Sequence, residues 1–184
     1  CLLSRGLGDV YKRQGIGVHN LTSAGSKDIF ISKISSNGNF IWAISLGSTS
    51  SDVGQYIHCD SFGNLFVTGN FSNSLGGGIS SNGNTDIFIS KISSSGNILW
   101  VKSIGGSLSD EGNSITTDAS GNVYTTGYFN GTVDFDPGSG IYNLASSGSD
   151  DIFISKISSS GNFIWAKSIG GSLSDEGNSI TTDA

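Results

Sequence analysis

The chain has 184 residues, 35% of them hydrophobic and 13% charged, with 28 Gly, one Pro, two Cys and no Met. A formal charge of −6 and a pI near 4.6 argue against a phosphate-backbone partner, so no nucleic acid is expected. Ser and Gly make up roughly a third of the residues, as in many linkers, but 10% aromatics and recurrent Ile/Phe/Trp clusters supply apolar surface that a linker lacks. No apolar run approaches the roughly 18 residues of a spanning helix, so no membrane insertion is expected, and no secretory leader is visible.

The opening 1–14, CLLSRGLGDVYKRQ, has a different texture from the rest. It holds both arginines, Arg5 and Arg13, and one of the two cysteines, Cys1. Without it, 6 Lys face 14 acidic residues, a formal −8. Arg5 and Asp9 interrupt any hydrophobic centre, so the segment is a poor export signal. It resembles translated adapter or vector sequence and is set aside from the fold reading. The alternative is a genuine N-terminal extension with its own role.

A long repeat fills 15–184. The segment Asp28-Ile-Phe-Ile-Ser-Lys33 returns at Asp86–Lys91 and at Asp151–Lys156, at offsets of 58 and 65. Residues 86–119 and 151–184 differ at three of 34 positions, Ile98/Phe163, Leu99/Ile164 and Val101/Ala166, and every exchange is apolar. Residues 15–28 align with 138–151. A period of this size signals an array, a solenoid or a propeller.

Within one unit, Asp28–Ser35 and Phe40–Gly47 are β-prone runs around Ser36-Asn37-Gly38-Asn39, a hairpin whose Gly is expected at positive φ. Tyr56–Asp60 and Leu65–Phe71 flank Ser61-Phe62-Gly63-Asn64, with Asp60 opening the turn and Gly63 closing it. Helical spacing is absent. Ile29-Phe30-Ile31 and Phe40-Ile41-Trp42-Ala43 are apolar on both faces, which predicts strands covered on both sides. Ile115-Thr116-Thr117-Asp118 is small and polar, which predicts an innermost strand with one side toward a wet channel.

The ordered motifs D-I-F-I-S-K-I, S-S-G-N-[FI]-[IL]-W, S-I-G-G and D-x-x-G-N-[VL]-[YF]-x-T-G resemble the SBBP-type β-propeller repeat family. The stretch Gly131–Gly138, with Asn143-Leu144 and Ser147-Gly148-Ser149, resembles the variety found in large secreted or surface bacterial proteins. The resemblance covers about 170 residues, everything but the opening. It implies an all-β, partial β-propeller made of four-stranded antiparallel blades, with about two complete blades plus partial blades at both ends. The complete blades are expected at 54–105 and 112–170, and the partial units at 15–47 and 177–184. Such a piece reads as a fragment of a longer frame whose open ends pair with further blades; an open β-stack is the alternative.

Candidate sites are few. Trp42, Trp100 and Trp165 share one position, which favours packing between blades over a sugar-stacking platform. Lys33, Lys91 and Lys156 recur at a strand end, with the ammonium expected in water. Asp134 and Asp136 could face one way and hold a hard cation, but a turn role is favoured, so no metal site is assigned. Asp52, Asp110 and Asp175 recur without a second conserved acid, which suits a loop between blades. His19, His58 and Cys59 fall outside the repeat, and no nucleophile elbow or phosphate-cradling loop is present. Cys59 replaces Thr117 and Thr182 and reads as a small packed or channel-lining residue. No catalytic residue and no cofactor is assigned.

Three function classes remain. The first is a non-catalytic propeller module of a larger exported or surface bacterial protein, serving as scaffold or interaction platform, extracellular or at the cell surface. The second binds proteins or cell-surface glycans through loops 72–85 and 130–150. The third is a fragment of a propeller enzyme whose active site lies elsewhere, with His58 the single weak candidate for a channel-mouth group.

Overall fold

The computed structural model describes residues 2–5, 10–13 and 18–183, with side chains described for 20–183. Every regular element among them is a strand. In chain order these are β1 (Leu2–Arg5), β2 (Val10–Arg13), β3 (Val18–Leu21), β4 (Ile29–Ile34), β5 (Phe40–Leu46), β6 (Val53–Cys59), β7 (Leu65–Phe71) and β8 (Ser74–Leu75). They continue with β9 (Ile79–Ser80), β10 (Asp86–Ile92), β11 (Ile98–Ile104), β12 (Glu111–Thr117), β13 (Val123–Asp134), β14 (Asn143–Ile157) and β15 (Phe163–Ile169).

Two four-stranded antiparallel sheets form the body, ordered β6-β7-β10-β11 and β12-β13-β14-β15. They span 53–104 and 111–169, and the same registers recur in both. Ile87 pairs Ile104 as Ile152 pairs Ile169, and Lys91 pairs Trp100 as Lys156 pairs Trp165. A register shift follows each lysine, after Lys33 as well. The chain is therefore all-β, with four-stranded antiparallel blades of a partial propeller.

Before them lies a three-stranded sheet ordered β1-β4-β5. There β1, from the 1–14 opening, pairs with β4 in the place that β7 takes beside β10. After them, residues 177–182 run along β12 without forming a ladder. The Asn113 amide donates to the Gly177 carbonyl at 3.1 Å, and the Thr182 hydroxyl to the Thr117 carbonyl at 3.1 Å.

Turn chemistry sets the hairpins. Gly38, Gly96 and Gly161 sit at φ +80, +89 and +81, which an L side chain resists. The Gly96 amide closes on the Ser93 carbonyl at 2.9 Å while Ser93 N–H reaches Asn97 O at 2.8 Å. The 60–64 turn is held by Asp60, whose Oδ1 accepts the Phe62 and Asn64 amides at 2.9 and 2.8 Å.

The core lies between blades. On β10, Ile87 and Ile89 join Ile115, Phe129 and Phe153 of the next blade, while Phe88 and Ile92 join Ile29, Ile31 and Leu46 of the preceding one. Alternate residues of one strand thus glue opposite neighbours, as the period of two requires. Burying each such side chain is worth about 1.5–3 kcal/mol.

Two expectations need correcting. The outer strands β5, β11 and β15 are not covered on both sides: Ile41, Leu99 and Ile164 are 50%, 53% and 43% exposed. They are sheet edges, where no further strand shields the face turned away from the neighbouring blade. Conversely, Ser114, Ile115 and Thr116 of β12 are buried. The preceding blade covers one side, and residues 177–182 lie along the strand.

Candidate functional site

The recurrent residues converge on the blade junctions. Trp42 Nε1 donates to the Ser94 carbonyl at 3.2 Å, and Trp100 Nε1 to the Ser159 carbonyl at 3.3 Å. The same carbonyls accept Lys33 Nζ at 3.0 Å and Lys91 Nζ at 3.2 Å. Lysine and tryptophan, paired across the β10–β11 ladder, therefore latch the turn of the following blade together. The indoles lie against the turn glycines: a Cβ on Gly96 would stand 2.9 Å from the Trp42 ring. Trp100 is half-buried, in line with packing between blades. The lysine ammoniums remain exposed, as expected, and gain a backbone carbonyl partner that the sequence did not foretell. Lys156, at the same position, pairs its ammonium with Asp118 at 3.2 Å above the Tyr124 ring.

The recurrent aspartates close the loops on the opposite rim. Asp86 Oδ2 accepts the Asn82 amide at 3.0 Å, as Asp28 and Asp151 accept those of Ala24 and Ser147. Its carboxyl fills the space beside Gly105, and Asp28 and Asp151 stand likewise beside Gly47 and Gly170. Asp110 Oδ2 accepts Gly106 N–H at 2.8 Å and Oδ1 accepts Asn130 N–H at 3.0 Å. Burial pushes its carboxyl up to about 6 despite those bonds. Asp52 accepts Ser48 N–H at 2.7 Å in the same way, and Asp175 accepts Gly171 N–H at 2.9 Å. These carboxylates hold loops between blades.

The 72–85 and 130–150 segments also lie on that rim. The first folds into the β8–β9 hairpin, with Gly77 and Gly78 at φ +92 and +80. The second is largely strand: β13 and β14 pair out to Asp134 and Asn143, leaving 135–142 as the turn. Phe135 is fully buried, edge-on to Phe129 at 5.3 Å. Asp134 Oδ1 accepts the amides of Asp136 and Tyr142 at 3.0 and 2.8 Å, and Asp136 Oδ1 accepts Gly138 N–H at 2.8 Å. Both carboxylates thus build the turn. A polar depression of about 230 Å³ opens beside them, with Asn82 and Ser103 on its far wall. Among the described residues no group of three or more His, Cys, Asp or Glu is placed to hold a metal ion.

The larger cavity, about 490 Å³, lies on the other rim between the 60–64 and 118–122 turns. His58, Cys59, Phe62 and Lys91 line it with Thr117, Ser120 and Ser159. His58 Nε2 stands 3.0 Å from the Thr117 hydroxyl, and burial holds its pKa below the ordinary value. Cys59 is exposed rather than packed. Phe62, 81% exposed at the mouth, was not singled out by motif reasoning, although its departure from Ser120 in the next unit marks it. His19 lies among residues whose side chains are outside those described.

Comparison with known proteins agrees with this geometry. The chain is 30% identical over 190 residues to an uncharacterized WD repeat-containing protein of Acanthamoeba polyphaga mimivirus, an alignment covering 91% of the chain. The chain spans about 14% of that protein's length. Residues 99–136, which run from the outer strand of one blade through the first two strands of the next, match the SBBP family, described as Beta-propeller repeat. That match identifies the segment 99–136 as a β-propeller repeat of the SBBP family, and the four-stranded antiparallel sheets on either side of it agree with the motif order.

Proposed function

We propose that the chain is a non-catalytic β-propeller segment that serves as a scaffold and interaction platform in a larger exported or surface-bound bacterial protein. The observation that carries this reading is where the recurrent residues are used. Trp, Lys, Asp and Gly of the repeat are bound up in joining blades. Variation between units concentrates in 72–85 and 130–150, which share one rim. A rigid body with a variable rim suits recognition of a partner. The viral relative carries a WD-repeat name, which belongs to another propeller class.

The outward face of β12–β15 is suited to a further blade. Ile169 and Ile152 occupy the positions of Ile104 and Ile87, which the next blade buries completely or nearly so. The second reading, direct recognition of glycans or proteins, is favoured by the exposed tip of the β13–β14 hairpin, where Ile141 is 78% exposed.

The test is binding of the chain to a glycan panel and to a panel of surface proteins by biolayer interferometry. A variant carrying residues 72–85 in place of 130–150 should lose the partner that the parent holds. Turnover of a panel compound, or binding that survives the exchange, would sink the reading. Labelling of intact source cells with an antibody against the chain tests the compartment; signal only after lysis would refute surface exposure.

A further inference from the structure

The repeat supplies an internal control for the 490 Å³ cavity. Units 54–71 and 112–129 share fold and register, so exchanges between them report demands other than folding. His58 stands for Thr116, Cys59 for Thr117 and Phe62 for Ser120, and all three line that cavity. The 60–64 turn needs Asp60, Gly63 and Asn64 for its geometry, not a ring at Phe62. At 81% exposure the ring buries little of its surface, though burial would be worth about 1.5–3 kcal/mol.

The remaining wall is polar. The hydroxyls of Ser61 and Ser120 have no hydrogen-bond partner among the described residues, and both border the cavity. The carboxylates of Asp60 and Asp118 already accept backbone amides. Lys91 is drawn to the Ser159 carbonyl. An apolar ring facing free hydroxyls, with charges already engaged, matches a neutral ligand having an apolar face and hydroxyl edges. The volume falls in the range of small-ligand sites. A cleft pinched between two turns also differs from the roughly 800 Å² per partner of a stable protein interface.

We propose that this cavity is a saccharide-binding site, with Phe62 stacking on a pyranose face and Ser61 and Ser120 reaching its hydroxyls. It lies on the rim opposite 72–85 and 130–150, so it stands or falls separately from recognition there.

The experiment is titration of the ¹⁵N-labelled full chain with maltose, cellobiose, lactose and diacetylchitobiose at millimolar concentration. At least one sugar is expected to shift the amide signals of Gly63, Asn64 and Gly121. Phe62→Ser, which installs the residue the next unit uses, should weaken that binding about tenfold or more with an unchanged melting temperature. Phe62→Trp should retain it. The proposal is overturned if no sugar moves these signals, if the shifts survive Phe62→Ser, or if they fall on 72–85 and 130–142. Concentration-dependent association that Phe62→Ser abolishes, without sugar binding, would assign the ring to a protein contact and overturn it equally.

Discussion

Trp100 of one blade and Ser159 of the next are joined by an indole N–H···O=C hydrogen bond of 3.3 Å, and Trp42 and Ser94 repeat it at 3.2 Å. The bond sits at the outer end of a junction packed by Ile87, Ile89, Ile115 and Phe129, so it fixes the angle at which one blade leans on the other. Trp100→Phe keeps most of the packing and loses the donor, leaving the Ser159 carbonyl to Lys91 alone. The expected loss is about 1 kcal/mol. Trp100→Ala also removes the ring beside Gly161 and should cost about 3 kcal/mol. Urea unfolding of both variants checks this; equal losses would show that the hydrogen bond contributes nothing.

Gly105 is dictated by Asp86 rather than by backbone conformation. A methyl there would overlap the Asp86 carboxyl group, which is fully buried and capped by the Asn82 amide. Gly105→Ala should therefore cost about 3 kcal/mol through overpacking and loss of that cap. Gly76→Ala is the control, because its added carbon would stand 3.7 Å from Leu46 Cδ2, an ordinary contact. It should change stability by about 0.5 kcal/mol or less, read from the thermal midpoint. A Gly105→Ala protein as stable as Gly76→Ala would remove the steric account.

Much of this fold was legible because the repeat shows its own grammar. Asp60 with Gly63, and the SSGN turns, predict hairpins from local chemistry, and those hairpins fix the strand registers. The purpose of Lys91 was not legible, because its acceptor lies 68 positions away and is a backbone carbonyl without a sequence signature. The same holds for Gly69 and Gly127, whose missing side chains make room for the Val53 and Glu111 carbonyls of the bulged neighbouring strand. Exposure of Ile41 and Leu99 was hidden for another reason. An apolar residue on an outer strand looks the same in sequence whether or not anything covers its second face.

Ile169 is 56% exposed, whereas Ile104 at the same register is 2% exposed. The difference is the following blade, which covers Ile104, whereas among the described residues no strand lies over Ile169. Together with half-buried Ile152, Ile154 and Trp165 it forms an apolar face prone to association. Ile169→Lys is expected to lower concentration-dependent association in sedimentation velocity without shifting the thermal midpoint. Association unchanged by the substitution would place the sticky surface elsewhere.

The pH dependence of stability follows from two opposed sets of carboxylates. Burial raises the pKa of Asp52, Asp86 and Asp110, the last to about 6. Each is then above its unfolded value of about 3.9, so the folded chain holds more protons in between, and the contribution is fully present below about pH 4 and lost as pH rises through the folded values. Asp118 runs the other way. Desolvation is the largest single influence and raises its pKa, but the Asn122 side chain and backbone and Lys156 together outweigh it, and the pKa falls to about 2. Its contribution is present above about pH 4 and disappears as pH drops toward 2. Stability should therefore peak on the acid side of neutrality, with a higher melting temperature near pH 5 than near pH 7.5 and a fall below about pH 3. The rise to about 6 at fully buried Asp110 is worth at most about 3 kcal/mol. Asp110→Asn should flatten the neutral limb while costing about 1 kcal/mol near pH 5, because an amide cannot accept both the Gly106 and Asn130 bonds with equal ease. Asp118→Asn should flatten only the acid limb. A melting temperature that climbs steadily from pH 5 to 7.5 would show that these buried carboxyls ionise without penalty.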